Sequence, residues 1–89
     1  MTVRRRVRAH GRVQGVFFRD SVRRAADATG VAGWAANRPD GTVEAVFEGE
    51  ADAVEELVAL CRAGPGHAEV GRLEVDDEPP EGLQGFDVR

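Results

Sequence analysis

The 89 residues are 42% hydrophobic and 31% charged, the balance of a folded chain, and their number leaves room for one core and one domain, expected over residues 1–89. Every basic residue is Arg, and the net charge of −4 is lopsided: residues 1–24 hold eight Arg against Asp20 alone, while residues 44–89 hold three Arg against thirteen acids. No apolar run approaches the ~18–20 residues that cross a bilayer, no apolar segment of signal-peptide length follows the Arg-rich start, and Cys61, His10 and His67 offer neither a disulfide nor a metal-ligand spacing.

From Val3 to Val13 the odd positions read Val, Arg, Val, Ala, Gly, Val and the even ones Arg, Arg, Arg, His, Arg. That near-alternation predicts a strand with one buried face and one wet face. Gly11-Arg12-Val13-Gln14-Gly15 breaks the pattern. Phe18, Val22, Ala25, Ala26 and Thr29 then share a helical face ahead of Gly30, which predicts a helix from Phe18 or Arg19 to Thr29. Val31 to Asn37 reads as a second strand and Arg38-Pro39-Asp40-Gly41 as a turn. Thr42 to Glu48 alternates again, so the pair forms a hairpin. A second helix is expected from Ala51 to Ala63, ended by Gly64-Pro65-Gly66. A further strand follows from Ala68 to Asp77, and Phe86 to Arg89 adds a short edge strand.

The order β-α-β-β-α-β is that of an α+β, ferredoxin-like sandwich: an antiparallel sheet with two helices on one face and solvent on the other. Many unrelated functions use this fold, so function has to be read from a site.

The passage Gly11-Arg12-Val13-Gln14-Gly15-Val16-Phe17-Phe18-Arg19 joins the first strand to the first helix. A glycine-bearing turn entering a helix N-terminus presents successive N–H groups in a concave nest, where the helix dipole adds positive charge. Such a place favours a phosphate, over which the Arg19 guanidinium can close with two-pronged geometry. On spacing alone, a simple strand-to-helix turn with a solvated Arg19 explains these residues equally well. A second segment, Gly33-Trp34-Ala35-Ala36-Asn37, runs into the turn. Asn37 either caps that turn or turns its amide, both donor and acceptor, toward a water beside the phosphate.

Together the two segments resemble the acylphosphatase family. Gly11-x-Val13-Gln14-Gly15-Val16-x-Phe18-Arg19 is similar to the family's first signature, and Gly33-Trp34-Ala35-Ala36-Asn37 followed by Gly41-x-Val43 to its second. The spacing between them, the element order and the length agree, so the resemblance spans essentially the whole chain. It implies hydrolysis of acyl phosphates, mixed carboxylic–phosphoric anhydrides, to carboxylate and inorganic phosphate. It further implies that Arg19 binds the phosphoryl group, that Asn37 orients the attacking water, and that backbone amides of Gln14, Gly15, Val16, Phe17 and Phe18 complete the cradle. Neither cofactor nor metal is implied. The expected partners are the small-molecule substrate and inorganic phosphate, with no nucleic acid and no membrane, in a cytoplasmic monomer.

Two other readings share the fold. An RNA-binding sheet needs stacking aromatics on its open face, and the first strand offers Arg and His there instead. A non-catalytic anion-binding regulatory module would keep the loop without turnover. The lopsided charge has a simpler account: Arg4, Arg6, Arg8 and Arg12 are expected on the open face opposite Glu44 and Glu48, joined by Glu74, as cross-strand ion pairs. His10 is expected on the surface, His67 in a loop and Cys61 in the core. Trp34 is expected either near the site or as an anchor for the hairpin.

Overall fold

The computed structural model describes residues 1–89. In chain order the elements are β1 (Thr2–Arg12), α1 (Phe18–Thr29), β2 (Ala32–Asn37), β3 (Val43–Glu50), α2 (Ala51–Ala63), β4 (Glu69–Glu78) and β5 (Phe86–Val88). The sheet order is β4-β1-β3-β2-β5. Boundaries fall within two residues of those read from periodicity.

Strand alternation sorts the side chains as expected. Val7 and Ala9 of β1, Ala35 of β2 and Val43, Ala45 and Phe47 of β3 face the helices, where they meet Phe18, Val22 and Ala26 of α1 and Val54, Leu57, Val58 and Cys61 of α2. Both helices end on a left-handed glycine, Gly30 and Gly64. Cys61 is a core residue whose thiol is pushed up to about 12 by burial, so it holds no thiolate at neutral pH.

The sheet differs from expectation in two linked ways. Its first four strands are antiparallel, but β5 pairs with β2 in parallel, through Gly33↔Phe86, Trp34↔Asp87 and Ala35↔Val88. β4 and β5 lie on opposite edges, and the short segment 79–85 must cross from one to the other. It sets out from the end of the sheet where β2 begins, so β5 has to run in the direction of β2. The crossing segment also covers part of the face expected to be open. Glu48, 3% exposed, accepts backbone N–H groups from Glu81, from Gly82 at 3.0 Å and from Leu83 at 2.9 Å. Leu83 packs on Trp34, Ala36 and Val46.

Beneath that segment the charge stripe is an ion-pair network. Arg4, 4% exposed, donates to Glu78 at 2.9 Å. Arg6 bridges Glu78 at 2.6 Å and Glu44 at 3.0 Å, and Arg38 also bonds Glu44 at 2.6 Å. Glu74, expected to join the Arg stripe, pairs instead with His10 and Arg72, while Arg8, opposite it in register, turns to Glu44 at 3.6 Å. Trp34 is covered by three guanidinium groups, those of Arg6, Arg38 and Arg89, with Arg89 nearest at 4.6 Å. It anchors this face, and no bare aromatic surface remains there for stacking bases.

The network makes folding acid-sensitive. Hydrogen bonds from Arg6 and Arg4 hold Glu78 at about 2, against an ordinary 4.5. Burial raises Glu44, but its bonds to Arg38 and Arg6 prevail, and burial of Glu48 is likewise overcome by the amides of residues 81–83 and by Arg4. A carboxylate depressed in the folded state stabilises it fully above the ordinary value and loses that contribution as pH falls through the folded one. The melting temperature is therefore expected to drop between about pH 4.5 and 2. In Glu78→Gln, thermal melts across that interval should show a lower plateau and a shallower fall.

Candidate active site

β1 and β2 are both antiparallel to β3, so they run the same way and end at the same end of the sheet. β5, parallel to β2, ends there too. Three strand termini therefore converge on the N-terminus of α1. A cavity of about 250 Å³ opens there, lined by Val13, Gly15, Phe17, Phe18, Arg19, Asp20 and Asn37.

The floor is the loop from Val13 to Phe17. Gly15 is left-handed at φ 70°, and Phe17 also, at φ 62° and ψ 22°. A left-handed L-residue costs about 1–2 kcal/mol, and Phe17 is the one non-glycine residue of the chain with positive φ. It stands at the N-cap of α1 and supplies no side-chain cap. Ser21 is the first residue of the helix to find a backbone acceptor, the carbonyl of Phe17 at 3.1 Å, and the amides from Gln14 to Asp20 have none. Uncapped amides at a helix N-terminus, with residues alternating between the two hands ahead of them, make an anion nest.

The turn Gly64-Pro65-Gly66-His67 orients that nest from behind. The His67 amide donates to the Val16 carbonyl at 3.0 Å. A Cβ at Gly66 would lie 2.5 Å from the Val16 oxygen and 3.1 Å from the Phe17 oxygen, so glycine lets the turn close on both carbonyls. In a trans peptide the N–H points opposite to the preceding carbonyl. The N–H groups of Phe17 and Phe18 therefore point away from this turn.

Strand parity brings in Asn37. Positions 33, 35 and 37 share the face of β2 that α1 covers, and Ala35 is buried in the core there. Asn37 is thus the last helix-side residue of the strand and reaches the cavity. It does not cap the adjoining turn. That task falls to Asp40, which accepts from the Thr42 amide at 3.0 Å and hydroxyl at 2.6 Å and is held below the usual carboxylate range by those bonds. The Asn37 side chain is left exposed at the cavity.

Arg19, in the first turn of α1, stands on the same cavity, its Nη1 donating to the Arg89 backbone oxygen at 2.7 Å. Arg89 is itself fixed by its amide, which donates to the Ala35 carbonyl at 2.8 Å. Asp20 is occupied along the helix by Arg24 at 2.9 Å and Arg23 at 3.2 Å.

Of the expected site residues, Arg19, Asn37, Gly15, Phe17 and Phe18 line the cavity, while Gln14 and Val16 do not. Val16 points into the core. The Gln14 side chain has a role that sequence reasoning missed: its Nε2 donates to the carbonyls of Arg38, at 2.8 Å, and Thr42, at 2.9 Å, clamping the loop to the turn after Asn37. The backing by Gly66 and His67 and the bond from Arg19 to Arg89 were also unforeseen. The only advance signal was the Gly64-Pro65-Gly66 triplet, which reads first as a helix stop.

Unpaired loop amides, one guanidinium and one free carboxamide thus surround a single cavity on a ferredoxin-like sandwich. The Acylphosphatase family model matches residues 5–88. An acylphosphatase of Rubrobacter xylanophilus is 61% identical over 89 residues, covering 99% of this chain and 81% of that protein. One of Thermococcus kodakarensis is 55% identical over 86 residues, covering 97% and 94%. The crystal structure of acylphosphatase from Bacillus subtilis superposes with a TM-score of 0.92 at 35% identity, over 98% of each chain. The chain belongs to the acylphosphatase family and is an enzyme of acyl phosphate hydrolysis.

Proposed function

We propose that residues 1–89 act as a self-sufficient acylphosphatase in which Arg19 and the loop amides bind the phosphoryl group and Asn37 holds the attacking water. The observation that carries this reading is the convergence of Arg19, Asn37 and the acceptor-free loop on one cavity. The water oxygen attacks phosphorus in line as the bond from phosphorus to the acyl oxygen breaks. The bonding pair leaves with the carboxylate, and the water's proton passes to a phosphate oxygen of the substrate.

Phosphoryl transfer goes mostly by positioning and by stabilising charge on the equatorial oxygens. The leaving carboxylate is a stable anion and needs no strong general acid, which fits a cavity lined by no His or Cys. The reading is metal-independent: His, Cys, Asp and Glu nowhere gather in a group of three suited to a cation. It also takes the protein as a cytoplasmic monomer without nucleic-acid partners. No helix is long and apolar enough to cross a membrane, and the arginines of the sheet are already engaged by carboxylates.

The test is release of inorganic phosphate from acetyl phosphate with a chelator present. Turnover unchanged by chelator is expected. Absence of release would overturn the activity, loss of release with chelator would overturn the metal-free mechanism, and salt-dependent RNA retention without turnover would favour the binding module.

A further inference from the structure

The two halves of the site stand on strands that do not touch. β1 leads into the loop of acceptor-free amides, β2 carries Asn37, and β3 lies between them in the sheet. Asn37 is the last residue of β2, paired to β3 at Val43 and beyond the pairing with β5, which stops at Ala35. One side chain bridges the gap. Gln14 reaches past the start of β3 and gives both N–H groups of its Nε2 to the turn, one to the Arg38 carbonyl at 2.8 Å and one to the Thr42 carbonyl at 2.9 Å. Arg38 directly follows Asn37, and Thr42 directly precedes its partner Val43.

The turn closes without these bonds. The Thr42 carbonyl already accepts from the Arg38 amide at 2.9 Å, and the Arg38 carbonyl from the Gly41 amide at 3.1 Å. Asp40 holds the Thr42 amide and hydroxyl, and Glu44 holds the Arg38 guanidinium. Each carbonyl therefore keeps a donor when Gln14 is removed, and no acceptor is orphaned. What disappears is the direct link between the loop and the residue after Asn37.

We propose that the Gln14 side chain is a positioning residue for the attacking water, setting where the Asn37 carboxamide stands relative to the phosphoryl group. This assignment rests on the roles proposed above for Asn37 and the loop. In-line attack fixes the water against phosphorus, and the two are held from opposite sides of β3. A misplacement of about 1 Å between reacting atoms costs on the order of 10²-fold in rate. The adjoining turn is capped by Asp40 and not by Asn37, so the position of the carboxamide follows the backbone of residues 37 and 38. Gln14 pins that backbone to the loop. The loop keeps its own backing without the side chain, since the His67 amide still holds the Val16 carbonyl at 3.0 Å. Loss of Gln14 should thus misalign the water and spare phosphate binding.

The experiment measures kcat and KM on acetyl phosphate, and inhibition by inorganic phosphate, in the parent, Gln14→Ala, Gln14→Met, Asn37→Ala and the double variant Gln14→Ala with Asn37→Ala. Gln14→Ala is expected to lower kcat by roughly tenfold to 10²-fold, with the phosphate inhibition constant within about twofold of the parent. Gln14→Met keeps the length of the side chain but has no donor, and should fall as far. In the Asn37→Ala background no carboxamide is left to aim, and Gln14→Ala should cost no more than about twofold. A general loosening of the fold would instead multiply the two losses. Equal loss from Gln14→Ala in both backgrounds, phosphate inhibition weakened in step with kcat, or Gln14→Met at the parent rate would each overturn the assignment. A damaging Asn37→Ala in the same series would leave the reading of Asn37 standing. Asn37→Ala at the parent rate overturns that reading and the assignment with it, and a parent that releases no phosphate overturns the activity itself.

Discussion

Replacing Arg19 with alanine is expected to lower kcat/KM for acetyl phosphate by roughly 10³-fold or more, the scale seen when a guanidinium that stabilises phosphoryl transfer is removed. The side chain stands in the first turn of α1, beside amides that carry only partial charges, so it is the one full positive charge on the cavity lining. Its loss should weaken the ground state as well as the transition state, because inorganic phosphate carries the same oxygens. Product inhibition by phosphate, and the rise in melting temperature that phosphate confers, should fall together with turnover. Arg19→Lys should recover little, since an ammonium is a point charge without the planar fork that meets two phosphate oxygens at once. The fold should survive, for the Arg19 side chain makes one hydrogen bond within the protein, to the Arg89 backbone oxygen. An Arg19→Ala protein that binds phosphate like the parent would remove Arg19 from the cradle.

Much of this site follows from patterns visible in the chain, and the exceptions have physical causes. The alternation of Val7 and Ala9 with Arg6 and Arg8 orients β1 correctly, and the parity of Ala35 and Asn37 places the carboxamide on the helix side. With β3 antiparallel to both strands, their shared end is then determined by topology. Phe17 was illegible as a strained residue because aromatic side chains disfavour the left-handed region. The turn of Gly66 and His67 closes on the Val16 and Phe17 carbonyls, from a part of the chain about 50 residues away. The clamp formed by Gln14 depends on two carbonyls 24 and 28 residues away, and nothing local to Gln14 announces them. Burial of Arg4 and Glu48 ran against composition for a similar reason. Charged strand residues read as solvated until the segment after Pro79-Pro80 lies across them, and that segment is driven over the face by the need to reach the far edge. The parallel pairing of β5 has the same origin. It delivers the Arg89 oxygen to Arg19.

Asn37→Ala should separate catalysis from binding in a way that Arg19→Ala does not. The side chain is exposed, caps nothing and belongs to no hydrogen bond of the adjoining turn, so truncation should leave the melting temperature within the small range of surface substitutions. It carries no charge, and the proposed phosphate cradle of loop amides and Arg19 remains complete without it. Inorganic phosphate should therefore bind within about twofold of the parent, and KM should barely move. What is lost is the group that can hold a water by donating and accepting at once. Without it the nucleophile samples many orientations, and a misplacement of about 1 Å in a reacting atom costs on the order of 10²-fold. A fall in kcat of roughly 10²- to 10³-fold at nearly constant KM is the expected result, measured by initial rates on acetyl phosphate with phosphate affinity followed in parallel. Asn37→Asp sharpens the test. A carboxylate keeps the acceptor but loses the donor and faces the substrate's own negative charge, so it should raise KM as well as lower kcat. If Asn37→Ala hydrolysed acetyl phosphate at the parent rate, water positioning would have to be moved from Asn37 to the loop amides.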